Sequence, residues 1–439
     1  MHAQVLARGH VLERIRGVMR TPEKIYVFFA MLYFVGALSP SDVGENEMTR
    51  QWHFDQFSYF MQLLIFPVLA LLIFAHWQSV WQGIKGASWP LALCGLAILS
   101  AGWSDDPFFS ARRAIILLMT TLFAVYLGSC FSLEEHVSLF SWLLILSVVG
   151  SICVIAFAPQ LGISHDLHEG ALKGMFSHKN LLGRQMAFGI LALVIGKPVQ
   201  IPKWLRYGSL IVAVVLLLLS RSAGALITLA IVLAFCGFLR LPKKSRRSTA
   251  PLWIGLVPVL VALVILAITN ADIFLEPLGR DTSLTGRVPL WAAIGQAIGQ
   301  QPWLGHGYAI FWVHTSASLL AVVATGWNAL SAQNGYLDLC LDLGLVGLAL
   351  FFCSLVYSMR LGLKYFHNGL VRSSQWPFVF LLFFTLQNFH ESDLLRLGTF
   401  MWIPFVATSV SLALLEKRLL REAVSSTEQS GEGLPAFSV

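Results

Sequence analysis

The sequence predicts an all-α, polytopic membrane protein with about 12 transmembrane helices and one long outward-facing loop that carries short helices. Composition, the length of the apolar runs and the placement of charge each point there. Of 439 residues, 56% are hydrophobic and 12% charged, with a mean hydropathy of +0.72. Soluble domains carry about 25% charged residues, so the charge density is half the usual value. A span needs about 20 mostly apolar residues to cross ~30 Å of hydrocarbon. The candidate spans are 25–40, 57–75, 87–103, 113–131, 139–158, 181–197, 204–220, 222–239, 252–270, 336–358, 376–390 and 398–415.

The first of these follows five basic residues, and Val35-Gly36-Ala37 loosely resembles a signal-peptidase site. Because many more spans follow, the run is read as an uncleaved first helix. Residues 204–239 would make one helix of about 54 Å, too long for the bilayer. Ser220-Arg221-Ser222-Ala223-Gly224 supplies a polar break, so two spans joined by a tight turn are expected.

Charge tests the count. With the N-terminus cytoplasmic, 20 of the 30 Lys and Arg fall on inner segments, and 15 of the 23 Asp and Glu fall on outer ones. This is the positive-inside pattern, and merging 204–239 would place five basic residues of 240–247 outside and spoil it. The formal charge of +7 therefore has a topological explanation, and no nucleic-acid partner is implied. The chain divides into a cytoplasmic segment 1–24, helices over 25–270, a large loop 271–335, helices over 336–415 and a cytoplasmic tail 416–439. The loop is periplasmic in a bacterium. The tail reads as disordered from its Ser, Thr, Glu and Gly content.

Within the loop, Val288–Gln301 places Trp291, Ile294 and Ile298 at helical spacing with Pro289 in the first turn. Ser318–Thr325 is apolar but too short to span, which suits an interfacial segment. All six cysteines (Cys94, Cys130, Cys153, Cys236, Cys340 and Cys353) lie in or beside apolar segments. With no CxxC pair, neither a disulfide framework nor a thiolate metal site is supported. No dinucleotide fingerprint, P-loop or internal repeat is present, so no cofactor is expected.

The ten outward basic residues are the most informative set: Arg50, Arg112, Arg113, Lys173, Lys179, Arg184, Arg221, Arg280, Arg287 and Arg396. Outward loops are ordinarily poor in Arg, and a cation at a span end, as at Arg184 and Arg221, is costly unless paired or functional. The planar guanidinium fork suits phosphate oxygens, so several converging on one cavity would suit a pyrophosphate. The competing reading pairs each with a loop carboxylate or lets it snorkel to headgroups.

Ser177-His178-Lys179-Asn180 opens the sixth span, where a helix N-terminus can receive an anion or simply be capped. Asn388-Phe389-His390-Glu391-Ser392-Asp393 closes the eleventh, and a carboxylate beside an imidazole can act as general base. The other reading is polar residues where a helix leaves the membrane. Gln333-Asn334 precedes the tenth span, and Asp338 and Asp342 follow four apart on one face. That spacing suits a sugar hydroxyl, an Arg partner or a cation. It is a weak metal signal, and the scattered His165, His168, His306 and His314 form no ligand pattern.

Several short motifs then fall in a familiar order. Leu284-Thr285-Gly286-Arg287 with Trp291, Pro302-Trp303-Leu304-Gly305-His306-Gly307-Tyr308 with Phe311-Trp312, and Asn334-Gly335-Tyr336-Leu337 with Gly344-Leu345-Val346-Gly347 resemble the O-antigen ligase/polymerase (Wzy-type C-terminal) superfamily. Phe176-Ser177-His178-Lys179-Asn180-Leu181-Leu182-Gly183, with Glu391-Ser392 and Trp402, is more similar to its exopolysaccharide polymerase branch.

The resemblance implies a metal-independent glycosyltransferase of the bacterial inner membrane whose donor is a glycan on undecaprenyl pyrophosphate. It implies a pyrophosphate site at Arg287 and, by a looser match, Arg280 and Arg221; Lys179 and Arg184, read from their places at the outer end of the sixth span, are further candidates. His178, Asn180, His306, Tyr308 and Asp338 become candidate substrate contacts, and Glu391, His390, Gln333 and Asn334 candidate catalytic residues. Ligases of the family usually carry His where Gln333 stands; an amide can orient a hydroxyl but cannot take its proton. The expected partners are lipid-linked donor and acceptor glycans, membrane lipid, and chain-length or export proteins. Ligation of finished glycan to lipid A core is the alternative activity, and transport of the same lipid a further one.

Overall fold

The computed structural model describes residues 21–36, 47–164, 170–196, 198, 201–240, 287–314, 331–366, 374–396 and 400–430. The span expected at 252–270, the loop through Arg280 and the segment Ser318–Thr325 lie outside the described residues. Among the described residues the fold is helical, and the β contact recorded is a single antiparallel bridge between Ile163 and Leu172.

The helices are α1 (Thr21–Phe34), α2 (Glu47–Ala75), α3 (Trp77–Gly86), α4 (Ser88–Leu99), α5 (Pro107–Cys130), α6 (Leu133–Phe157), α7 (Lys179–Leu191), α8 (Lys203–Leu219), α9 (Ala223–Arg240), α10 (Arg287–Gln300), α11 (Gly335–Phe366), α12 (Trp376–Gln387) and α13 (Trp402–Ser430). Every expected span other than 252–270 is occupied by helix. Four helices are long and apolar enough to cross a membrane, or up to five if the bent pair at residue 87 counts as one span.

Local chemistry sets many of the boundaries. Asp106 accepts from Phe109 N at 3.0 Å ahead of Pro107, which starts α5. Ser132 and Glu135 form a reciprocal capping box at α6. The polar break expected in 204–239 is present: α8 ends at Leu219, Arg221 takes φ 51° and α9 begins at Ala223.

Three features depart from the sequence reading. Residues 77–86 form a helix, and it meets the Ser88–Gly102 segment at 82° rather than joining a span. Val80 and Gly83 face inward while Trp77 and Trp81 stack on the outside at 5.5 Å, so amphipathicity lays this helix on the bundle. The last helix continues to Ser430, into the tail read as disordered. The third departure is a break in α11 at Gly344, where φ 65° and ψ −166° interrupt the helix.

At that break the loop 302–307 enters. Leu345 N donates to Pro302 O (2.8 Å) and Val346 N to Trp303 O (3.2 Å), while His306 N donates to Leu341 O (2.7 Å) and Gly307 N to Asp342 O (3.1 Å). Backbone groups freed by the break thus find partners inside the protein, which is the condition for irregular backbone at membrane depth. Gly344 is required twice over: its φ is left-handed, and a Cβ would lie 2.2 Å from Trp303 O.

The core sits where α5, α6, α7, α12 and α13 meet. Phe140, Phe188, Trp376 and Phe400 pack ring on ring, with centroids 5.3–5.9 Å apart. Trp402 Nε1 donates to Thr121 Oγ1 at 2.9 Å, and Ser411 Oγ to Gly128 O at 3.0 Å, stitching α13 to α5. α2, with Leu63, Leu71 and Phe74 exposed, presents a lipid-facing surface.

Candidate functional site

Four segments distant in sequence meet at one end of the bundle: 178–184, 220–224, 333–335 and 388–393. Their meeting follows from chain direction, because α7, α9 and α11 begin here while α8 and α12 end here.

The 388–393 turn is the hub. Asn388 is fully buried; its side chain donates to Phe384 O (2.8 Å) and accepts from Asp393 N (3.0 Å). Gly335 N donates to Asn388 O (2.9 Å) and Glu391 O (3.1 Å), and Asn334 Nδ2 to Phe389 O (3.2 Å). Asn334 Oδ1 in turn caps α11, accepting from Tyr336 N (3.0 Å) and Leu337 N (3.2 Å). Gln333 is held at φ 48° immediately before this cap.

From the hub, side chains reach the other segments. Asn180 Nδ2 donates to Glu391 Oε1 at 2.7 Å. His390 Nε2 lies 3.0 Å from Thr228 Oγ1 on α9. One turn earlier Gly224 makes room for the ring: a Cβ there would lie 2.4 Å from His390 Nδ1. Arg184 pairs with Asp393 deep in the bundle, the two side chains 4% and 0% exposed. Residues 183 and 222 are close enough that a Cβ on residue 183 would meet Ser222 Cβ at 2.5 Å. The exposed Arg221 therefore lies beside the start of α7.

The structure thus brings together Lys179, Asn180, Arg184, Arg221, Gln333, Asn334, His390 and Glu391. His178 is exposed and caps α7, its Nδ1 accepting from Asn180 N at 3.2 Å. Of the expected pyrophosphate ligands, Arg184 has its charge met by Asp393, while Arg280 and the Arg287 side chain fall outside the described residues. The α10 backbone begins at Arg287, and one turn on Trp291 Nε1 donates to Ala332 O (2.9 Å), next to Gln333.

Three expected substrate contacts face inward instead. His306 Nε2 lies 3.0 Å from Ala297 O, and the Tyr308 hydroxyl donates to Leu395 O, both side chains buried. Burial first, then Asp342, push the Tyr308 phenol well above its usual range, so it remains a donor. Asp338 Oδ1 accepts from Trp312 Nε1 (2.8 Å) and Ala332 N (3.0 Å), fixing the loop to α11. Sequence reading passed over Thr228, Asn388 as a hub and Asp393 as the partner of Arg184. An acidic residue three positions beyond the expected span end at 390 was the one visible signal for the last.

Chemically, the cluster offers an oriented carboxylate, an imidazole bonded to a hydroxyl, two side-chain amides and cations at a helix N-terminus. A helix N-terminus with nearby cations suits an anionic group, and the carboxylate suits a hydroxyl.

The O-antigen ligase family model matches residues 208–352. The chain is also similar to the exopolysaccharide production protein ExoQ of Rhizobium meliloti (strain 1021), with 25% identity over 293 residues. That alignment covers 64% of this chain and 66% of the relative, just short of two thirds of its length. Together the two matches show that part of this helical chain with apolar, membrane-length helices is similar to proteins of the O-antigen ligase/polymerase kind.

Proposed function

We propose that the chain polymerises undecaprenyl-pyrophosphate-linked repeat units into exopolysaccharide or another surface polysaccharide, at the periplasmic face of the bacterial inner membrane. In this reading 12 helices span the membrane, both termini are cytoplasmic and 271–335 is the periplasmic loop. The observation that carries it is the junction of 178–184, 220–224, 333–335 and 388–393, which gathers a carboxylate, an imidazole and cations at one end of the bundle.

The donor enters from the outer leaflet, and Arg287, Arg280, Arg221 and Lys179 hold its pyrophosphate. Arg184, tied to Asp393, braces the first turn of α7 beneath them. An acceptor hydroxyl attacks the anomeric carbon; a new C–O bond forms as the bond to the pyrophosphate oxygen breaks. The hydroxyl proton passes to the Glu391 carboxylate or to the His390 imidazole, which Thr228 holds in place. Gln333 and Asn334 orient the acceptor. Pyrophosphate is a good leaving group, so stabilising its charge contributes more than proton removal, and one aimed donor is worth ~3 kcal/mol of barrier.

The printed name of the relative favours polymerisation, while the family description favours ligation, so both are tested together. Purified protein in liposomes, given defined lipid-linked repeat units without an ion gradient, should build a ladder of longer lipid-linked chains. Transfer to lipid A core alone would establish the ligase reading. No transfer without a gradient would turn attention to transport. In cells, deletion should accumulate single repeat units rather than long lipid-linked chains.

A further inference from the structure

A groove lies at the other end of the bundle from the 388–393 hub. α6 runs from Leu133 to Phe157, about 36 Å at 1.5 Å per residue; its Gly150 faces Met175 near the start of α7, whereas Val137 in its first turns faces Gly196 beyond the end of α7. Here α1 and α6 enclose a groove of about 360 Å³. Its wall is apolar, with Ile25, Phe28, Leu139 and Trp142, and its mouth carries Lys24 and Glu135. Ile25 is 66% and Trp142 38% exposed, so the groove opens on the outside of the bundle.

The mouth is preorganised. Lys24 Nζ sits 2.9 Å from Glu135 Oε1. The same carboxylate is locked by the cap of α6, with Ser132 N donating to Oε2 at 3.0 Å. On the neighbouring position Glu23 accepts from Tyr126 OH (3.0 Å) and meets His76 Nε2 (2.9 Å), which pins the start of α1. The groove's volume falls within the ~300–1,000 Å³ typical of small-molecule sites.

We propose that this groove binds one zwitterionic phospholipid with a primary ammonium headgroup, of the phosphatidylethanolamine kind. An acyl chain lies along Phe28, Leu139 and Trp142. The phosphodiester faces Lys24 and the ammonium faces Glu135, so the ion pair opens and each partner gains a new counter-charge. An anionic headgroup without an ammonium would satisfy Lys24 but set phosphate against the Glu135 carboxylate. This selection needs no part of the glycan chemistry proposed above.

Native mass spectrometry of the full chain in neutral detergent tests it, with phosphatidylethanolamine and phosphatidylglycerol of identical acyl chains as probes. The expected result is a single bound phosphatidylethanolamine at several-fold lower lipid concentration than phosphatidylglycerol. Ile25→Trp, which fills the groove from an exposed position, should abolish that preference while leaving helical content and elution volume unchanged. Glu135→Gln should narrow the preference even where it lowers stability. Equal adducts of the two lipids, a preference for phosphatidylglycerol, or a preference unaltered in Ile25→Trp would overturn the proposal and mark the surface as ordinary lipid contact.

Discussion

The Asn180 side-chain amide donates to Glu391 Oε1 at 2.7 Å, joining residues 211 apart in sequence. The bond ties the first turn of α7 to the hub after α12 and fixes the position of one carboxylate oxygen.

Asn180→Ala is expected to lower the polymerisation rate about tenfold, matching loss of one hydrogen bond to a charged group worth ~1.5 kcal/mol. Glu391→Gln should lose more, and the double variant should be no worse than Glu391→Gln alone. Initial rates in liposomes check this. Additive losses would show that Asn180 acts independently of Glu391.

The buried Arg184–Asp393 pair is expected to be structural. Removing one member of a buried pair strands the other charge, at a cost of roughly 3–5 kcal/mol. Asp393→Ala should therefore lower Tm sharply in detergent, and Arg184→Met with Asp393→Leu should recover much of the loss. If Asp393→Ala instead left Tm unchanged while activity vanished, Arg184 would be contacting substrate.

Gly344→Ala is expected to expel the 302–307 loop from the break in α11, since the new Cβ would sit 2.2 Å from Trp303 O at a left-handed φ of 65°. Backbone strain of this kind costs about 1–3 kcal/mol before the clash is counted. Gly295→Ala on α10 is the control. No heavy atom lies within 4 Å of its added Cβ, and Ala is favoured there by about 1 kcal/mol. Thermal unfolding should fall for the first and hold or rise for the second.

Helix positions were legible in the sequence because apolar run length and charge asymmetry act locally, and Ser220-Arg221-Ser222 announced its turn. The bend at residue 87 was not, because Trp77–Gly86 is too polar to score as a span and its amphipathic face became meaningful only against the bundle. At the site, His390, Glu391 and Asn180 were legible as polar groups at helix ends. Their mutual contacts were not, since pairings between residues more than 150 apart leave no periodic trace. His306 and Tyr308 looked like polar groups of an outward loop and Asp338 like one at a span end, yet the loop folds inward to serve the broken α11, and their hydrogen bonds go to the scaffold.

The most direct test of the central claim is Arg287→Ala, reconstituted in liposomes with lipid-linked repeat units and scored by product length. A pyrophosphate grip by this residue predicts roughly a 100-fold slower transfer, from ~3 kcal/mol of lost charge stabilisation, with normal membrane insertion. Gln333→Ala, an orienting amide, should slow it less. Chains of unaltered length and rate from correctly inserted Arg287→Ala protein would contradict the account.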